Sequence, residues 1–469
     1  MKRILLALGL AACLCGCVQP KYKRPALPVP PAWPENASTT KTAETPNVPQ
    51  AADVKWNEFF ADKNLQAVIE LALKNNRDLK ISALNVERVQ ALYRIQRAQL
   101  YPALDVSATG DLYRLPKTST IGGFSVPKAA TVEQYTVGGV VSWELDLFGR
   151  VRSLKHAALE QYLATDEARN ATQISLVAAV ANSYFALAAD RENLRLAQTT
   201  FEAQQTSYEL IKQSRDAGIA NDLELRQSQS QVEAARVDIA QYSGQVAMDE
   251  NALTLLVGTT IPADLLPNQL GSDSSLKEIS AGVSSDVLLR RPDILSAEHQ
   301  LKAATANIGA ARAAFFPRIA LTASSGLMSS DVSDLFKGES QTWSFAPQIV
   351  MPIFDAGARR ANLKATKVER DIAVSEYEKS IQSAFRDVSD SLTLRATLTD
   401  QQNAQQTLAN ALNETYRLSE ARYRAGIDSY LTVLVAQQSF YRAQQTLVSV
   451  RLQRMANLVT LYKVLGGGA

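Results

Sequence analysis

Few residues in this chain are equipped for covalent or proton-transfer chemistry. The three cysteines, Cys13, Cys15 and Cys17, all lie in the first seventeen residues, and His156 and His299 are the only histidines. Lys2-Arg3 is followed by an apolar run, Ile4 to Leu14, and then by Cys15-Gly16-Cys17. A basic start, a short apolar run and a small-residue site make a secretory signal. A Cys where the apolar run ends is the pattern of thiol acylation, which makes 1–17 a lipoprotein signal and Cys17 the first mature residue. Val18 follows, where an Asp would resemble an inner-membrane retention signal, so outer-membrane sorting is expected. Both histidines fall in helical patterns and are expected to be solvated. Neither a metal site nor a cofactor is expected beyond the covalent lipid on Cys17. No catalytic constellation or nucleotide loop is present, so the chain is expected not to be an enzyme, and energy for any transport must come from a partner. With a net charge of +2 there is no broad basic field for nucleic acid.

The elements behind these residues repeat. One stretch runs from Arg97 to Arg152 and again from Arg312 to Arg360. Each copy starts at a helix end closed by Pro102 or Pro317, passes through two alternating runs, and ends in a turn at Phe148-Gly149-Arg150 or Phe354-Asp355-Ala356-Gly357. In 103–113, Leu104, Val106, Ala108 and Leu112 alternate with Asp105, Ser107, Thr109 and Asp111. In 135–147, Tyr135, Val137, Val141, Trp143 and Leu145 alternate with Thr136, Ser142, Glu144 and Asp146. In the second copy Ile319, Leu321 and Ala323 oppose Thr322 and Ser324, and Trp343, Phe345, Ile349, Met351 and Ile353 oppose Thr342, Ser344 and Gln348. Period two means strand, and such runs with aromatic residues near their ends are the mark of a membrane barrel. The hairpins are expected at 103–147 and 318–354, with Asp105, Asp111, Glu144 and Asp146 lining a wet lumen.

Long helices are expected at 152–216, 222–257, 358–424 and 430–465. Ile174, Val177, Ala181, Tyr184 and Ala188, and again Val374, Tyr377, Ile381, Ala384 and Val388, repeat at spacings of three and four, a packing seam. Stops fall at Gly218, Gly258, Gly426 and Gly466. Shorter helices from Arg77 and from Pro292, where a missing N–H does no harm, have lengths that let each stack on a second helix beside one long helix. The junctions predict an irregular belt from the 258–285 connection and the Trp56 region. Residues 18–55, with eight of the seventeen prolines, read as an extended linker. The body then divides into a first repeat, 56–272, and a second, 273–469. Four strands cannot close in lipid, since spanning barrels start at eight and open edges cannot face hydrocarbon. Two or three chains must associate, and spacing does not choose between them.

Leu145-Asp146-Leu147-Phe148-Gly149-Arg150, Leu289-Arg290-Arg291-Pro292-Asp293-Ile294, Asn307 through Pro317 and the terminal Leu465-Gly466-Gly467-Gly468 resemble the TolC-like outer-membrane factors of bacterial efflux pumps, in their lipoprotein OprM-like branch. The resemblance covers nearly all of the mature chain. It implies a mainly α protein with a membrane β part: a trimeric twelve-stranded transmembrane barrel, four strands from each protomer, continued by a long periplasmic coiled-coil helical barrel with an internal two-fold repeat. It implies a passive exit duct for drugs or small toxic compounds in the outer membrane. A periplasmic adaptor and an inner-membrane transporter of the resistance-nodulation-division type would be its partners. Tyr423 and Leu431 match the residues that narrow the family's periplasmic gate. The family's Asp and Arg in the last helix are replaced by Val435 and Gln438, so Asp428, or Glu224 and Arg226, would have to substitute for them. Arg215 and Gly218, with Arg424 and Gly426, match the adaptor-contact turns. Two other readings compete: a type I protein-secretion duct of the same fold, and a lipid-anchored coiled-coil scaffold without a pore.

Overall fold

The computed structural model describes residues 20–33, 51–116, 120–121, 124–125, 129–271, 276–277, 279 and 284–467. The targeting segment with Cys17 lies outside the described residues. The main elements are helices α1 (Lys63–Asn75) and α2 (Arg77–Ala98), strands β1 (Ala103–Leu115) and β2 (Ala130–Leu145), helices α3 (Arg150–Asp216), α4 (Asp222–Val257) and α5 (Pro292–Ala313), strands β3 (Arg318–Ser329) and β4 (Gln341–Val350), and helices α6 (Ala358–Arg424) and α7 (Tyr430–Val464). The long helices fall where the periodicity places them, with ends shifted by at most two residues. α3 and α6 have 67 residues each, about 100 Å at 1.5 Å per residue. The chain forms two compact units. One holds Val86–Thr165 and Ala297–Tyr377 with the described residues before Ala26; the other holds Ala26–Asn85, Asp166–Ser296 and Glu378–Ala469.

The first unit contains a four-stranded antiparallel sheet in the order β1-β2-β3-β4. Its register aligns the four apolar faces. Leu104 lies opposite Val141, Val141 opposite Ala323, and Ala323 opposite Phe345. The polar residues share the other side: Ser142 lies opposite Thr322, and the hydroxyls of Ser324 and Ser344 are 2.7 Å apart. The apolar side is uncovered, with Leu104 70% exposed, Val106 80% and Trp343 76%. Gly138 on β2 and Gly326 on β3 face each other on the polar side. A Cβ on Gly326 would stand 2.3 Å from the Val137 carbonyl oxygen, so no side chain fits there.

Three expectations are corrected in this unit. Glu144 and Asp146 are not free lumen charges, because they fasten the strand-to-helix corner. Arg150 donates to Glu144 at 2.9 Å and Arg318 reaches it at 2.6 Å. Asp146 accepts the Val151 and Arg152 amides, satisfying donors that a helix start leaves unpaired. The histidines are not simply solvated, for both converge on buried Glu160: His299 Nδ1 lies 2.6 Å from one carboxylate oxygen and His156 Nε2 3.4 Å from the other. The lead segment is not a free spacer either. Tyr22 donates to Glu298 at 3.0 Å, Arg24 donates to the same group at 2.6 and 3.1 Å, and Lys302 reaches it at 3.2 Å. Glu298 is only 2% exposed, and these donors hold its carboxyl below the usual range against the upward push of burial. A buried carboxylate stays charged only when paired in this way.

In the second unit the helix junctions appear as the lengths require. Asn76, just before α2, donates its side-chain amide to Leu256 O, at the end of α4, at 2.8 Å. Arg291, just before α5, donates to Val464 O, at the end of α7, at 2.6 Å. The belt packs around these points. Lys277 N donates to Phe59 O, Phe59 stacks on Tyr462 at 4.0 Å, Ser285 N donates to Pro31 O, and Trp33 stacks on Phe385 at 4.9 Å. The seam residues Ile174, Val177, Ala181, Tyr184 and Ala188 are buried, as are Ile381, Ala384 and Val388. Part of α3 is long and apolar enough to cross a membrane by composition, but more than half of that stretch is covered by protein, so it reads as a packed core helix.

Gly326→Val should separate β2 from β3 at a cost on the order of 2–3 kcal/mol or more. A heat-dependent electrophoretic shift of the folded protein should be lost or fall to lower temperature, whereas Gly338→Val, in open space, should leave it unchanged.

Candidate functional site

Two features stand out, one in each unit. The first is the pair of sheet edges. Among the described residues β1 and β4 each pair on one side only, which leaves a row of backbone donors and acceptors open on each outer strand. The exposed apolar face lies between those edges.

The second is the pair of helix turns, α3 into α4 and α6 into α7. Both close with a left-handed glycine, Gly218 at φ 77° and Gly426 at φ 72°. In each, the next residue's amide donates back across the helix end, Ile219 N to Ser214 O at 2.9 Å and Ile427 N to Arg422 O at 3.0 Å. A cation then bridges each turn. Arg215 donates to Asp222 at 3.0 Å and to Asp216 at 2.9 Å. Arg422 grips Asp428 with two bonds, 2.6 and 3.0 Å, and the Arg422 guanidinium holds that carboxyl below the usual range. Both bridges close the turn of their own hairpin.

Behind the turns, Ile211, Leu225, Tyr430, Val433 and Leu434 form a buried cluster, with Tyr208, Tyr416 and Tyr423 packed against it. Tyr430 donates to Ser228 Oγ at 3.4 Å, and the Tyr423 and Tyr430 rings are 5.4 Å apart. Burial, with the charge of Glu224, pushes the Tyr423 phenol up. Arg226 donates to Gln229 on its own helix at 2.8 Å rather than to Glu224, and Arg424 donates to Glu420 at 2.6 Å. Leu431 is 52% exposed, and Val435, one turn on, is exposed beside it. Tyr430 is the residue that sequence reasoning missed. Its apolar neighbours at three- and four-residue spacing, Val433 and Leu434, were the available signal.

The fold and these features define an outer-membrane channel protein, an exposed-face β part joined to long packed helices. A family model for outer membrane efflux proteins matches residues 68–259 and 283–467. The chain is 47% identical to the toluene efflux pump outer membrane protein TtgC of Pseudomonas putida, over all of this chain and 96% of that one. The antibiotic efflux pump outer membrane protein ArpC of Pseudomonas putida matches at 47% with the same coverage. The open-state crystal structure of the Neisseria gonorrhoeae MtrE outer membrane channel superposes with a TM-score of 0.85 at 37% identity, covering 96% of this chain and 98% of that one. The chain belongs to the outer membrane efflux protein family. It is the outer-membrane component of an efflux system.

Because Asp428 titrates below its unfolded value, its contribution to the α6–α7 turn is present above the ordinary Asp range and is lost as the pH falls through the lowered value. Amides of 422–430 should exchange faster in Asp428→Asn than in the wild type at neutral pH, and the difference should vanish in acid. An equal rate at neutral pH would mean that the ion pair does not hold the turn.

Proposed function

We propose that the chain is a homotrimeric exit duct anchored in the outer membrane through a lipid on Cys17. The observation that carries this reading is the sheet itself: four strands, two open edges and one uncovered apolar face. Backbone groups in lipid have to be paired, and three copies of this sheet joined edge to edge would form one twelve-stranded barrel with the apolar face outward. The equal lengths of α3 and α6 and the two separate segments matched by the family model support an internal two-fold repeat divided near residue 272. The long helices would continue the barrel into the periplasm. Conduction would be passive, with energy supplied by an inner-membrane transporter of the resistance-nodulation-division type through a periplasmic adaptor.

The turns at Gly218 and Gly426, with Arg215 and Arg424, would meet the adaptor. Tyr423, Leu431 and Asp428 would set the closed state, with Glu224 and Arg226 beside them. The names of the relatives place toluene and antibiotics among the cargo classes to test, and drugs or small toxic compounds are the cargo this reading assigns. Opening would require breaking the Arg422–Asp428 bridge and moving α7 past the buried cluster at its base.

The mass of the detergent-extracted protein, corrected for bound detergent, should be that of a trimer. Deletion in the native host should lower tolerance to toluene and to antibiotics, and the wild-type chain should restore it. A monomer without conductance in planar bilayers would overturn the duct.

A further inference from the structure

The second unit contains a cavity of about 960 Å³ lined by α3, α6, α7 and the first turn of α5. Its position follows from helix phase. Belt residues touch these helices at Tyr184 (to Asp62, 3.5 Å), at Phe385 (to Trp33) and at Tyr462 (to the Val54 carbonyl, 2.6 Å). The cavity is lined by Asn182, Asp387 and Thr460. Each lies two residues from its belt-facing neighbour, a rotation of about 200°, so the cavity opens on the side of the helices away from the belt.

The lining has a definite chemistry. Ile174 and Ala178 on α3 and Leu394 on α6 give it an apolar body. Asn182 Oδ1 is buried with no hydrogen-bond partner among the described residues. A buried acceptor of this kind calls for a donor. On α6, Asp387 and Asp390 line the same space, and Arg386 serves both, at 2.7 Å from Asp387 and 4.0 Å from Asp390. One cation for two carboxylates leaves that wall with a net negative charge. At the far end Arg291 is already neutralised by Asp293 at 2.6 Å, and Lys463 is the remaining cation of the lining. The volume is that of sites holding drug-sized molecules.

We propose that this cavity is a docking recess in the duct wall for amphipathic organic cations, with an ammonium or ring N–H facing Asp387, Asp390 and Asn182 and the apolar body against Ile174, Ala178 and Leu394. The inference rests on the duct reading, taken with the helix face away from the belt turned toward the lumen.

The test uses the full chain in lipid nanodiscs, with ethidium as cationic probe and fluorescein as anionic control, read by fluorescence anisotropy. Ethidium should bind the wild type saturably and fluorescein should not. The double variant Asp387→Asn/Asp390→Asn should bind ethidium about tenfold more weakly, having lost the charge on that wall. Ala178→Leu, which narrows the recess without touching charge, should weaken it as well. Light-scattering mass and bilayer conductance of the same samples report the duct separately. A conducting trimer that binds ethidium equally with and without the two carboxylates, or that binds fluorescein as well as ethidium, overturns the recess alone. A non-conducting monomer overturns the recess and the duct together.

Discussion

The structure depends on one constraint, that a backbone N–H or C=O has to find a partner wherever water is absent. Within the chain, β2 and β3 satisfy it on both sides, while β1 and β4 satisfy it on one. The side chains make the remaining edges a demand rather than a hazard. Residues such as Val106, Trp343 and Ile349 stand uncovered, so the sheet belongs in an apolar medium, and there its edges cannot be left to solvent. Pairing with further copies, as proposed, would answer both requirements at once. The Gly138–Gly326 pair lies at the centre of the same problem, because β2 and β3 form the strand pairing between the two hairpins and a Cβ on either glycine would run into the facing backbone.

The helices satisfy the same constraint by length. A start or end of a helix exposes unpaired groups, and the two junctions use a neighbouring chain end to cover them. The Asn76 side-chain amide takes up the Leu256 carbonyl, and Arg291 takes up that of Val464 while also holding Asp293. Gly258 is needed at the first junction because a Cβ there would stand 2.6 Å from the Asn75 carbonyl oxygen. Each junction uses an Asn or Arg with reach, and the belt closes over the result through Phe59 and Tyr462.

What was legible in the sequence follows from how local its cause is. Alternation, helical seams and glycine stops act within a few residues; the long helices stand within two residues of expectation, whereas β2 starts five residues earlier than its alternation suggests and β4 ends at Val350, four residues before the expected end of its hairpin. The stacking of helices was legible too, because it follows from lengths. What escaped were contacts between residues far apart in the chain. Glu160 meets His299 across 139 positions and Glu298 meets Arg24 across 274, and in isolation each of the two carboxylates looks like an ordinary solvated helix charge. Glu144 and Asp146 misled for a related reason. They continue the polar phase of their strand, but the strand ends there, and the corner takes them as partners for Arg150 and Arg318 and as a cap for α3.

The tip shows why candidate sites are harder to read than folds. Its charges are matched inside each hairpin, Arg215 with Asp222 and Arg422 with Asp428. Such pairs stiffen a turn, but they use up the groups that would otherwise join one protomer to another. Beside the exposed polar residues of each turn stands an uncovered apolar set: Ile219 and Ile427 after the two glycines, Leu223 and Leu431 four residues on, then Val435. Contacts made by that set would be short-ranged and insensitive to salt, unlike a ring of carboxylates. In the proposed closed state this apolar set would act between protomers, while the ion pairs act within them. In this division of labour, Val435 in place of an acidic residue is consistent with the remainder of the tip.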